Sequence, residues 1–182
     1  FARIAPVFAP RTTAKVVANI NMSGYEWKPI EGFGEYLFDG GKADGFSING
    51  LNAPLFGTTA ATIQNVNLTG VDITVNDIAK LGAIACTING GSLNNCSASG
   101  KIEINNTKLV PSENTWNIIS YGGIVGSLSG ATVENVTNNV NITLNQVCHT
   151  DNVAASYISL GGITGYTTAG THANVVNNGA LT

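Results

Sequence analysis

A sixteen-residue stretch recurs along this chain and constrains its fold more than any other feature. It reads Tyr121-Gly122-Gly123-Ile124-Val125-Gly126-Ser127-Leu128-Ser129-Gly130-Ala131-Thr132-Val133-Glu134-Asn135-Val136. Leu160-Gly161-Gly162-Ile163-Thr164-Gly165-Tyr166 repeats its opening, and Asn174-Val175 its close. Leu81-Gly82-Ala83-Ile84-Ala85-Cys86 is a degenerate copy closed by Asn95-Cys96, and Ala53-Pro54-Leu55-Phe56-Gly57 a fainter one closed by Asn65-Val66. Aligning Asn95, Asn135 and Asn174 gives steps of 40 and 39 residues, whereas Asn65 to Asn95 is a step of 30. A unit near 30 residues with an insertion of about 10 accounts for both steps, and repeats of this period stack so that each buries its apolar face on its neighbours. The insertions fall at roughly 105–120 and 146–159, on one side of the unit.

The pattern inside the unit is that of strands. Thr62-Ile63-Gln64-Asn65-Val66-Asn67-Leu68 alternates after its Asn, and the three-residue step from Ile63 to Val66 breaks the period there. A corner or bulge is expected at the Asn, which tolerates left-handed backbone; stacked units would set these Asn in a ladder. The glycines are expected to supply positive φ at the corners. Only 10% of residues are charged, against about 25% in ordinary soluble domains, and Gly, Asn, Thr, Val and Ile abound. Helix formers are scarce; single turns are the most expected at 76–80 and 112–116. Residues 1–52 read as an N-terminal lead-in with capping strands at 14–22, 36–38 and 45–52, and 53–182 as the repeats, about 53–80, 81–120, 121–159 and 160–182. The chain starts without Met and stops in mid-repeat, so a longer precursor is expected.

Several function classes lose support. The net charge is −3 and the eight Lys and Arg residues are dispersed, so no nucleic-acid footprint is read. No apolar run approaches the roughly 20 residues of a membrane helix. Gly122-Gly123-Ile124-Val125-Gly126 lacks the following helix and the Lys-Ser/Thr of a phosphate loop. Cys86 and Cys96 stand at core-type repeat positions; with Cys148 they form no CxxC, and His149 and His172 are the only histidines, so no metal site or cofactor is expected. Cys148-His149 is no dyad, since neighbours on an extended chain face opposite sides. The carboxylates are scattered, with only Asp72 and Glu103 near each other in repeat register, so no catalytic residues are assigned and no enzyme is expected. Asp39-Gly40-Gly41-Lys42-Ala43-Asp44-Gly45 reads as a tight turn rather than a calcium loop.

Tyr25, Trp27, Phe33, Tyr36 and Phe38 read as a cap over the first unit. Trp116 and Tyr121 flank an insertion and are the candidate ligand contacts. Asn-x-Ser/Thr sequons at Asn21, Asn67, Asn95, Asn105, Asn135 and Asn141 are for the most part explained by chance in a chain this rich in Asn and Thr and by the Asn ladder. Thr58, Thr62, Thr132, Thr164 and Thr171 are not expected to recur in register, which weighs against an ice- or crystal-binding face.

The Gly-Gly-Ile-Val-Gly openings followed by Val-x-Asn-Val resemble the GLUG motif, best at 121–136 and next at 160–175. The upstream segment, with Tyr25-Glu26-Trp27-Lys28-Pro29-Ile30, Phe38-Asp39-Gly40 and Phe46-Ser47-Ile48-Asn49-Gly50-Leu51, looks like the lead-in of such repeats. The resemblance implies an all-β fold, a right-handed parallel β-helix (β-solenoid) with loop insertions. It implies a secreted or cell-surface bacterial protein of a Bacteroides-like anaerobe, adhesin-like or placed beside a peptidase domain. The function it implies is a non-enzymatic binding surface or stalk, with host glycans, matrix proteins or other surface proteins as partners. The alternative is a non-catalytic part of a glycan-active β-helix enzyme or of a peptidase-associated repeat region.

Overall fold

The computed structural model describes residues 13–106, 118–146 and 157–182. Among these residues the protein is all-β, with a single-turn 3-10 helix at Lys42–Asp44 and no α-helix. The strands are β1 (Thr13–Lys15), β2 (Ile20–Asn21), β3 (Leu37–Asp39), β4 (Ile48–Asn49), β5 (Phe56–Thr59), β6 (Thr62–Gln64), β7 (Asn67–Asn76) and β8 (Lys80–Leu81). They continue as β9 (Ala85–Asn89), β10 (Ser92–Asn94), β11 (Ser97–Asn106), β12 (Ile118–Gly122), β13 (Val125–Ser129), β14 (Thr132–Gln146), β15 (Tyr157–Gly161), β16 (Thr164–Thr168) and β17 (Thr171–Asn177).

Every strand pair is parallel, in three sheets. Parallel neighbours cannot be joined by a tight hairpin, so each return needs a crossover. Here the crossover is itself made of strands. From β5 onward the chain visits the four-stranded sheet, then the ten-stranded sheet, then the three-stranded sheet, and begins again. One such passage is a tier. The repeat steps are the pairing steps: Thr62 pairs Ser92, Ser92 pairs Thr132 and Thr132 pairs Thr171.

The inward positions make one core. Ile63, Leu93 and Val133 share one row, and Val66, Cys96 and Val136 another, all fully buried. Each large aliphatic in these rows contributes about 1.5–3 kcal/mol of burial. The row Leu68, Ala98, Asn138 turns polar at Asn138 and continues to Asn177. Asn138 is satisfied there: its Nδ2 donates to Asn177 Oδ1 (2.7 Å) and to Val140 O, and its Oδ1 accepts from Val140 N–H.

The Asn corners form as the repeat predicts. Asn65, Asn95, Asn135 and Asn174 all have φ between 51° and 55°. The glycines divide into two roles: Gly90, Gly91 and Gly130 supply positive φ (87°, 72° and 63°) as expected, whereas those that open the motif do not. Gly122, Gly123, Gly126, Gly161, Gly162 and Gly165 do not adopt positive φ. They allow backbones to touch. A Cβ on Gly126 would sit 2.6 Å from Leu81 N and from Cys86 O, and one on Gly165 would sit 2.5 Å from Tyr121 N. These contacts are with the backbone of the preceding tier, so at this corner neighbouring tiers approach too closely for a side chain.

The first 40 described residues depart from the expected strands. The 14–22 strand is two pieces, β1 and β2, on different parts of the ten-stranded sheet. The 45–52 strand shrinks to β4. These pieces nevertheless pair in register with the repeats: β1 with β3, β3 with β6, and β4 with β7. The turn expected at 76–80 is absent as a helix; Asp77 has φ 49° and β8 follows. The turn expected at 112–116 lies outside the described residues.

Candidate binding surface

The two insertions share one corner. Asn106 ends β11, Gln146 ends β14, and these residues are register partners. The chain re-enters at Ile118 and Tyr157, which are also register partners. In the preceding tier the same connection needs only the residues between Asn76 and Lys80. The insertions therefore leave and rejoin the sheets at neighbouring points, on strands held by continuous parallel pairing.

Tyr121 lies beneath that corner, which corrects its reading as a ligand contact. The side chain is fully buried. Its hydroxyl donates to Ile78 O (2.6 Å) and accepts from Asn106 Nδ2 (2.6 Å), and Asn106 Nδ2 also donates to Gln146 Oε1 (3.0 Å). Burial pushes the phenol pKa up, so the group stays neutral. The repeat position explains the placement: Tyr121 pairs with Leu81 on one side and Leu160 on the other, both core aliphatics. Trp116, the other expected contact, lies outside the described residues. Two buried atoms near the corner, Asn106 Oδ1 and Ser120 Oγ, have no hydrogen-bond partner among the described residues. The sequence carries no signal for Asn106, because Asn is common everywhere in this chain.

The longest outward face is formed by β7, β11 and the second half of β14. Asp72, Thr74, Lys101, Asn139, Asn141, Thr143 and Asn145 project from it into solvent. Asp72 pairs with Lys101 Nζ at 3.2 Å, not with Glu103. An extra residue at Gly70 (φ 58°) shifts the register between Ala98 and Gly100, moving Asp72 one place from the simple repeat alignment. Ladders cross the face: Asn145 Nδ2 donates to Asn105 Oδ1 (2.8 Å), and Ser97 Oγ to Asn67 Oδ1 (2.9 Å). A threonine row also exists, against expectation. Thr62, Thr132 and Thr171 share a row with Ser92, and Thr171 Oγ1 donates to Thr132 Oγ1. The register becomes visible only when Ser92 is admitted as the missing member.

The other candidates are committed elsewhere. Asp44 pairs with Lys15 at 2.8 Å. Asp39 accepts from Gly41 N–H, Gln64 Nε2 and Asn65 Nδ2. Burial pushes the Asp39 carboxyl pKa up, but those three donors and the nearby Lys15 charge outweigh it and hold the group below the usual carboxylate range. Cys96 is buried and Cys86 half-buried, both as free thiols. Burial raises their pKa values to about 12 and about 11, the Glu31 charge adding to the second, so neither is a thiolate nucleophile at neutral pH. Phe33, Phe38 and Phe56 pack edge to face inside the first tiers, Trp27 Nε1 donates to Pro54 O, and Tyr25 is exposed. His172 is exposed, beside Thr164. Cys148, His149 and Asp151 lie outside the described residues. Among the described residues no three His, Cys, Asp or Glu side chains gather, and no helix is long and apolar enough to cross a membrane.

Comparison with protein-family models, with curated proteins and with solved structures finds no match for this chain.

Proposed function

We propose that this chain is a right-handed parallel β-helix of GLUG-type repeats. It serves as an adhesin-like binding surface or stalk of an extracellular bacterial surface protein, without catalysis of its own. The cyclic order in which the chain visits its three parallel sheets supports the architecture. The observation that carries the binding role is the shared corner: both insertions start at Asn106 and Gln146 and return at Ile118 and Tyr157, side by side on a regular framework. Variable loops on a rigid scaffold are where recognition is built. The partners are host glycans, matrix proteins or other surface proteins. The full chain, screened against glycans and host matrix proteins, binds a discrete set, and competition maps to the two insertions. Release of reducing sugar from acidic or neutral polysaccharides would replace this reading with that of a glycan-active enzyme.

A further inference from the structure

The sequence holds three Asn-Gly dipeptides, Asn49-Gly50, Asn89-Gly90 and Asn178-Gly179. In such a pair the backbone nitrogen of the glycine can attack the side-chain amide carbon of the asparagine, because no Cβ screens that nitrogen. Attack needs the two atoms within about 3–3.5 Å. An asparagine side chain tied elsewhere by hydrogen bonds must first release them, which lowers the population able to react.

The fold holds the three side chains differently. Asn49 is half-buried, its Nδ2 donates to Asn21 Oδ1 (3.1 Å) and Ser23 Oγ (3.1 Å), and its Oδ1 accepts from Thr69 Oγ1 (3.1 Å). Asn178 is exposed, but its Nδ2 donates to Asn139 Oδ1 (2.9 Å). Asn89 is exposed at the end of β9, and its side chain makes no hydrogen bond among the described residues. The glycine nitrogens are engaged in all three pairs. Gly50 N–H donates to Thr69 O (2.9 Å), Gly90 N–H to Ser129 O (2.7 Å) and Gly179 N–H to Asn177 Oδ1 (3.3 Å). Bonding of the nucleophile therefore does not set Asn49 apart from Asn89, whereas restraint of the electrophile does. The looser Gly179 bond and single side-chain bond place Asn178 between them.

The corner after β9 belongs to the tier and not to its asparagine. Asn89 stands in one row with Ser129 and Thr168, and Gly130 N–H makes the equivalent bond to Thr168 O (2.9 Å). Serine and threonine have no amide carbon to attack, so of these three corners only the one at Asn89 carries the chemistry.

We infer that Asn89 is a self-modification site, which deamidates in the folded chain while Asn49 and Asn178 are held back. The Gly90 nitrogen bonds to Asn89 Cγ, the bond from Cγ to Nδ2 breaks, and Nδ2 leaves as ammonia with the proton from Gly90 N–H. Water then opens the five-membered imide at either carbonyl. One opening gives aspartate. The other gives isoaspartate, whose main chain runs through Cβ and Cγ and is one carbon longer. Either product adds a negative charge to the corner. Isoaspartate also lengthens the chain where Gly90 is tied to Ser129 O of the next tier and where a Cβ on Gly91 would sit 2.2 Å from Ala61 O of the preceding one.

The test incubates the full chain in warm, mildly alkaline buffer and follows each dipeptide by peptide mapping, reading the mass gain of amide to acid and the isoaspartate by enzymatic methylation. Conversion at Asn89 is expected to run about tenfold or more ahead of Asn49, with Asn178 between them. In denaturing urea the three rates are expected to converge, because only the fold separates them. Asn89→Gln, whose ring would be six-membered, removes the first event and leaves the fold unchanged. A folded chain in which Asn49 or Asn178 converts first, in which Asn89 does not convert, or whose order of conversion persists in urea overturns the proposal. The purified isoaspartate form is expected to exchange its Gly90 amide faster than Asn89→Asp, which adds the charge without the extra carbon; equal exchange would contradict the loosened corner.

Discussion

Residues 122–136 and 161–175 carry nearly the same motif and occupy different surroundings. In the first, Ile124, Val133 and Val136 have neighbours on both sides and no exposed surface. In the second, the equivalent Ile163 and Val175 are partly buried, and His172 stands where Val133 would. The backbone path is the same in both, down to the left-handed Asn135 and Asn174. The motif therefore encodes the route of the chain. What differs is burial, which is complete where strands pair on both sides and partial where they pair on one.

The largest test of that difference is a matched pair of truncations. Ile124→Ala is expected to destabilise by about 2–5 kcal/mol, and Ile163→Ala by half of that or less, because its cavity opens to solvent. Urea unfolding midpoints measure both, and equal losses would break the comparison. Next is the hydroxyl of Tyr121, which has no counterpart in Leu160. Tyr121→Phe leaves Ile78 O and one Asn106 N–H without this partner and is expected to cost about 1–3 kcal/mol by thermal unfolding.

The ladder gives a smaller contrast. Asn95→Gly keeps the left-handed backbone and removes the bond to Asn65 Oδ1, with an expected loss of about 0.5–1.5 kcal/mol. Asn174→Gly, at the exposed end, should lose less than Asn95→Gly. Equal losses would show that backbone conformation, not the ladder, sets the preference for Asn. The smallest effect is on pH dependence. The Asp39 pKa is lowered in the folded chain, so its contribution is present above the unfolded carboxyl value of about 3.9 and fades as pH falls below it. Asp39→Asn should flatten the melting temperature against pH in that acid range, with its destabilisation fully present at neutral pH and shrinking as pH falls.

Much of this architecture was legible in the sequence, for a physical reason. Parallel in-register pairing repeats the same environment at the same sequence step, so Asn65, Asn95, Asn135 and Asn174 mark the corners and their spacing marks the register. Residues 13–52 were harder. They join the same sheets at uneven steps of 20 to 28 residues, as in Ile48 to Leu68, Thr13 to Leu37 and Ile20 to Ile48, and without the motif. Their strands are too short to leave a period. Tyr121 was misread because a tyrosine beside an insertion suggests a surface contact. Its alignment with Leu81 and Leu160 was the better guide, since a repeat position carries its burial with it. The role of the motif glycines was hidden for another reason: close backbone approach and positive φ both select glycine, and only coordinates separate them.

The central claim is that the tiers hold the fold and the insertions hold the recognition. Its most direct measurement replaces residues 107–117 and 147–156 with the short connection Asp77-Ile78-Ala79 of the preceding tier, then compares unfolding and binding with the parent chain. The account predicts one cooperative transition within a few degrees of the parent, because loop shortening changes closure entropy by only about 1 kcal/mol. It also predicts loss of the glycan or matrix-protein binding that the parent shows. A shortened chain that binds as the parent does, or that no longer unfolds cooperatively, would contradict it.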